Sequence, residues 1–137
     1  MSRRHPKDLI LCGLAVTDAA ARGKAVAHAE DGRAVLIEGA VPGDTVDVRV
    51  TKKSSRYYEG RVERLLTLSE KRTEPPCPHF GVCGGCRWQN MQYRWQLYYK
   101  QQEVENNLRR IGGVELPPIS PILGCEHEYY YRNKLEF

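Results

Sequence analysis

Five short β-rich runs fill the first half of the chain with no helical period among them, and few folds accommodate that pattern. The runs are residues 8–17, 24–29, 34–38, 45–51 and 57–66, and turn signals at Glu30-Asp31-Gly32, Val41-Pro42-Gly43-Asp44 and 52–56 punctuate them. Asp31-Gly32 is a strong hairpin signal. Within 44–50 the valines alternate with polar residues, so Val46, Val48 and Val50 belong to a buried face while Asp47 and Arg49 belong to the solvent face. Five such strands predict an OB-like five-stranded β-barrel over residues 8–70, in a chain that is mainly β with an appended helix. That architecture commonly binds nucleic acid.

Charge is distributed to suit such a partner. The formal net charge is +4 over 137 residues. Within 49–72, Arg49, Lys52, Lys53, Arg56, Arg61, Arg64, Lys71 and Arg72 stand against Glu59, Glu63 and Glu70; eight cations against three carboxylates leave a local net of +5. An excess of this kind points to a polyanion. Lys52, Lys53 and Arg56 adjoin Tyr57 and Tyr58 at one edge of the expected barrel, and Arg61 follows on the next strand. Cations hold phosphates and aromatic faces stack unpaired bases, so these six residues are the candidate RNA contacts. Strand alternation turns one of the two tyrosines inward and leaves the other facing out.

Past the expected barrel, Cys77, Cys83 and Cys86 follow a C-x5-C-x2-C spacing, with Gly81, Gly84 and Gly85 between them. Thiolates are soft ligands, and glycines let so short a segment curl its sulfurs toward one centre. The five cysteines are odd in number and the other two, Cys12 and Cys125, lie in unrelated segments, which disfavours a disulfide framework. Spacing alone leaves two metal readings open. His79 would complete a Cys3His zinc tetrahedron, whereas an iron-sulfur cluster needs a fourth cysteine from elsewhere.

Residues 88–111 contain neither proline nor glycine, and Leu97, Val104, Leu108 and Ile111 recur at helical spacing before Gly112-Gly113. The expected divisions are a basic extension over 1–7, the barrel over 8–70, the cysteine loop over 71–90, a helix over 91–113, and a proline-containing linker with the first strand of a further β domain over 114–137. The longest apolar run, 9–16, is eight residues, too short to cross a bilayer. Basic residues precede it and alanines follow, a faint likeness to a signal peptide that Asp8 and the clustered thiols oppose. A cytoplasmic monomer with no membrane partner is the expectation.

Taken in order, Val41-Pro42-Gly43-Asp44, Tyr58-Glu59-Gly60-Arg61-Val62, residues 77–89 and Tyr131-Arg132-Asn133-Lys134-Leu135-Glu136-Phe137 resemble one family. It is the S-adenosylmethionine-dependent RNA uracil-5-methyltransferases, in particular the iron-sulfur branch that acts on 23S rRNA. The resemblance covers nearly the whole chain from about Leu9. It implies a TRAM domain, an OB-like RNA-binding barrel, followed by three cysteines on a 4Fe–4S cluster. By that resemblance Cys77, Cys83 and Cys86 are ligands and His79 is not; Arg132 and Lys134 are further expected RNA contacts. The fourth cluster ligand, the catalytic cysteine, the proton-abstracting acid and the S-adenosylmethionine site belong to segments downstream of Phe137 in that family. Residues 1–137 alone are therefore expected to be inactive. Neither Cys12 nor Cys125 corresponds to a ligand or nucleophile of the family. A stand-alone RNA-binding or redox-sensing module with a metal site is the alternative reading.

Overall fold

The structure, a computed structural model, describes residues 9–132. They fall into two compact units, one ending at Gln92 and the other starting at Tyr93.

The first unit holds six strands, β1 (Ile10–Ala15), β2 (Asp18–Ala19), β3 (Ala25–His28), β4 (Ala34–Glu38), β5 (Thr45–Lys53) and β6 (Tyr57–Thr67). Their order in the sheet is β1-β5-β6-β4-β3-β2, antiparallel throughout except for β4 beside β6. β1 and β2 are consecutive in the chain yet occupy opposite edges, so one short run of backbone joins both sides of the sheet. At the crossing, Val16 N donates to Asp44 O at 2.9 Å and Thr17 N to Val26 O at 2.9 Å. The sheet thereby curls into an OB-like barrel, with the single strand expected over 8–17 divided where it changes partner. A bulge also interrupts β1: the register shifts between Leu11 and Leu14, Gly13 takes a φ of +65°, and its freed amide donates to Asp47 Oδ1 at 2.8 Å.

The core is the inward face of the alternating pattern. Ala27, Val35, Ile37, Val46 and Val48 are fully buried, with Val50, Leu14, Val16 and Tyr58 beside them. Burying each larger aliphatic side chain here contributes about 1.5–3 kcal/mol. Asp47, expected in solvent, is half-buried because it serves the β1 bulge.

A buried carboxylate pins the chain where it leaves β6. Asp44 accepts from Val41 N at 2.8 Å, from Ser69 N at 2.8 Å and from two nitrogens of Arg72, the shortest at 2.7 Å. Pairing and hydrogen bonding of this density is what keeps a charge stable away from water. Residues 71–73 then run beside 90–92: Thr73 N donates to Asn90 O at 3.0 Å, Gln92 N to Lys71 O at 2.8 Å, and Arg72 bridges Met91. The cysteine segment is thus a loop whose two ends are zipped together at the barrel.

In the second unit, helix α1 (Tyr93–Asn106) passes into a π-helical turn (Asn107–Ile111) and stops at Gly112-Gly113, where Gly113 has a φ of +62°. The stop falls where the sequence places it, but the start does not reach back to 91. Met91 N instead closes a turn onto Trp88 O at 3.0 Å. The expected apolar stripe is not buried among the described residues: Val104, Leu108 and Ile111 are exposed, and the buried helical side chain is Tyr99. Tyr98 and Tyr99 meet edge to face, with ring centroids 5.1 Å apart. The chain after the helix returns along it, Ile122 N donating to Gln101 Oε1 and Cys125 N to Tyr93 OH, both at 2.8 Å. The extension over 1–7 and most of the strand expected to start at Tyr131 lie outside the described residues.

Candidate nucleic-acid interface and cysteine loop

The β5–β6 hairpin ends in a short loop closed by Ser54 N donating to Tyr57 O at 2.9 Å. Lys52, Lys53 and Arg56 are all exposed there and none is in a salt bridge of the described residues, although the Lys53 charge is felt at Asp31. Lys52 Nζ lies 5.7 Å from the Tyr57 ring centroid and Lys53 Nζ 6.0 Å from that of Tyr58. The tyrosines divide as alternation demands: Tyr58 is 5% exposed and belongs to the core, whereas Tyr57 is half-buried at the surface. Tyr58 is therefore a support for this edge, and Tyr57 is the ring a base can reach.

That support comes from the β3–β4 turn. Tyr58 OH donates to Asp31 Oδ2 at 2.9 Å, Arg33 N donates to Asp31 Oδ1 at 3.0 Å, and Arg33 Nη1 donates to Ser54 O at 3.0 Å, its guanidinium 4.9 Å from the Tyr58 ring centroid. The Arg33 amide and then the Tyr58 hydroxyl hold Asp31 below the usual carboxylate range. In return, the hydrogen bond to Asp31 raises the Tyr58 phenol. Asp31 reads in the sequence only as a turn residue and Arg33 carries no signal at all, since Tyr58 and Ser54, which they brace, are 27 and 21 residues away.

Much of the basic run is committed elsewhere. Arg49 grips Glu63 through two nitrogens at 2.8 and 2.7 Å and lowers the Glu63 pKa. Arg61 lies 3.3 Å from Glu38 with its side chain mostly exposed, and Arg72 is fixed on Asp44. The local +5 thus overstates what the surface offers. An exposed pair such as Arg61–Glu38 is weak enough for a phosphate to compete. Arg132 is exposed in the second unit; Lys134 is outside the described residues.

In the cysteine loop, Cys77 is half-buried, Cys83 and Cys86 are exposed, and all three are free thiols. Turns set their spacing: Phe80 N donates to Cys77 O, and Val82 N and Cys83 N both reach His79 O, at 3.0–3.2 Å. Gly81 and Gly84 have φ of +91° and +77° with open space around them. Among the described residues no three His, Cys, Asp or Glu side chains stand together as a ligand group. The donor chemistry suits a soft metal or cluster, while the sulfurs as placed share a loop and not a centre. Cys12 and Cys125 are exposed and far apart in sequence, and the Cys125 thiol donates to His127 O at 3.1 Å.

The sequence model of the TRAM domain matches residues 14–62, the body of the barrel. The chain is 50% identical over 118 residues to a protein of Bacteroides thetaiotaomicron, 42% over 125 residues to one of Chlorobaculum tepidum and 44% over 122 residues to one of Porphyromonas gingivalis. Each of these is named an uncharacterized RNA methyltransferase. The matches cover 86–90% of this chain but 26% of each relative. By fold and match, the class is a TRAM-domain protein. More particularly, the chain is similar to these proteins over most of its own length and spans about a quarter of theirs. No helix among its described residues is long and apolar enough to cross a membrane.

Proposed function

We propose that this chain is the RNA-binding and cluster-bearing region of an S-adenosylmethionine-dependent uracil-5-methyltransferase that acts on 23S rRNA in the cytoplasm as a monomer. The observation that carries the RNA reading is the β5–β6 edge, where exposed Lys52, Lys53 and Arg56 adjoin a half-buried Tyr57 and Lys52 Nζ stands over the Tyr57 ring. Lys52, Lys53 and Arg56 take phosphates, Arg61 a further one in competition with Glu38, and Tyr57 stacks an unpaired base. The Asp31, Arg33 and Tyr58 network keeps that edge rigid, so little ordering entropy is lost on binding. The relatives' name supports the methyltransferase class; the sequence resemblance supports C5 of uridine as the target and the cluster as a resident group. On that reading Cys77, Cys83 and Cys86 supply three thiolates to a 4Fe–4S cluster and the fourth ligand comes from outside this chain. When bound, the cluster cross-links the turns of the loop. S-adenosylmethionine and the groups that move the methyl lie in the remainder of the protein.

The test is a salt titration of affinity for a uridine-containing RNA loop. The Lys52→Ala/Lys53→Ala variant should bind more weakly at every salt concentration, and its log K against log salt slope should be shallower by about 1.4. A double variant with the affinity and slope of the unsubstituted chain would make this edge a merely solvated one.

A further inference from the structure

A second cationic spot lies elsewhere in the first unit, built by residues 65 positions apart in sequence. The connection from β2 to β3 is a tight turn in which Arg22 and Gly23 both take left-handed backbone, with φ of +62° and +71°. Ala20 N donates to Lys24 O at 2.7 Å and closes it. Arginine rarely adopts this conformation, and residues held there concentrate at functional sites. The reason for the turn's shape is a close approach. The place a Cβ of residue 23 would occupy is filled by the Arg87 side chain, with Arg87 Cγ at 3.0 Å and Trp88 Nε1 at 3.4 Å. Only glycine fits there, so the exit of the cysteine loop is seated directly on the turn that carries Arg22.

Both arginines are exposed, and unlike Arg33, Arg49, Arg61 and Arg72 neither has a carboxylate partner among the described residues. Two unneutralised guanidiniums, one on the residue before Gly23 in the barrel and one whose side-chain stem packs on Gly23 immediately after Cys86, suit a single polyanionic strand lying across the junction. We propose that Arg22 and Arg87 form a second phosphate contact for RNA, separate from the β5–β6 edge. The proposal rests on the RNA reading above. Because Arg87 follows Cys86 directly, ordering of the cysteine loop fixes the position of this contact.

The experiment compares the full chain with an Arg22→Ala/Arg87→Ala variant and a charge-preserving Arg22→Lys/Arg87→Lys variant, on the same RNA loop across a salt series. Removal of both guanidiniums should flatten the slope by about 1.4, additively with Lys52→Ala/Lys53→Ala, while the lysine pair keeps most of it. An alanine pair that retains both affinity and slope, beside a lysine-edge variant that loses them, overturns the second contact alone. Absence of salt-dependent binding by the unsubstituted chain overturns the RNA reading and this contact with it. Thermal melting of each variant guards against misfolding: should the alanine pair unfold, a lysine pair that loses the slope while melting normally also overturns the contact.

Discussion

The barrel and the cysteine loop sit side by side in the first unit and are stabilised in opposite ways. The barrel carries its own stability: a continuous ladder, a core of fully buried aliphatics and one buried ion pair that locks its exit. The loop between Thr73 and Asn90 has a zipped neck and a few turn bonds, but Cys83 and Cys86 are exposed, Cys77 is only half-buried, and space is open around Gly81 and Gly84. Where a chain can bury enough apolar surface its sequence alone dictates the geometry; where it cannot, a bound group must supply the cross-link. Function follows the same division. On the proposed reading, the self-supporting barrel presents a preorganised edge to RNA, and a bound cluster would order the loop.

The comparison breaks most readily at Asp44. Arg72→Ala leaves a carboxylate buried without its cation and should destabilise the barrel by about 3–5 kcal/mol, read from the denaturant midpoint. A change within experimental error would mean that the neck, and not the ion pair, holds the barrel shut. Gly60→Ala comes next. A Cβ there would stand 2.5 Å from Arg49 O and 2.6 Å from Val48 Cγ1, so β5 and β6 must part, at a cost of about 1–3 kcal/mol in the same measurement.

Cys83→Ser sharpens the contrast from the other side. The intact natural protein, purified without oxygen, should be brown and lose that colour on substitution, whereas the barrel's stability should move by no more than about 0.5 kcal/mol. A colourless protein holding one equivalent of zinc would replace the cluster and return His79 to the ligand set.

The smallest effect is a pH dependence. Asp31 is depressed in the folded state, so its contribution is present above the ordinary carboxylate pKa and is lost as pH falls through the lowered value. Tyr58 is raised, so its contribution is present below the ordinary phenol pKa and is lost as pH rises through the higher one. Tyr58→Phe should therefore flatten the alkaline limb of a melting-temperature profile and leave an acid limb that Arg33–Asp31 and Arg49–Glu63 still maintain. An unchanged alkaline fall would show that the phenol–carboxylate bond contributes nothing.

The barrel was legible because its signals are local. Alternating valines placed Val46, Val48 and Val50 in the core, and turn residues fell between strands, as observed. The division of the first strand was not legible, since it depends on Val16 and Thr17 meeting partners on opposite edges. Helix length was overestimated at its start because Met91 is drawn into pairing with Arg72, a contact that no helical period reveals. The candidate RNA edge was half legible: composition picked out Lys52, Lys53 and Arg56, which the structure leaves exposed, but not that Arg49 and Arg72 serve carboxylates, nor that Asp31 and Arg33 brace the loop. The junction of Arg22 with Arg87 left no trace in the sequence, because a glycine reads the same whether it makes a turn or admits a neighbour.

The central claim is that RNA is held at the β5–β6 edge of a preformed barrel, with Tyr57 outward and Tyr58 inward. Photocrosslinking of a uridine-containing RNA loop to the chain, followed by peptide mapping, tests it directly. The account predicts a crosslink on Tyr57 within the 52–57 peptide and none on Tyr58; crosslinks confined to residues after Gly113, with the 52–57 peptide unmodified, would contradict it.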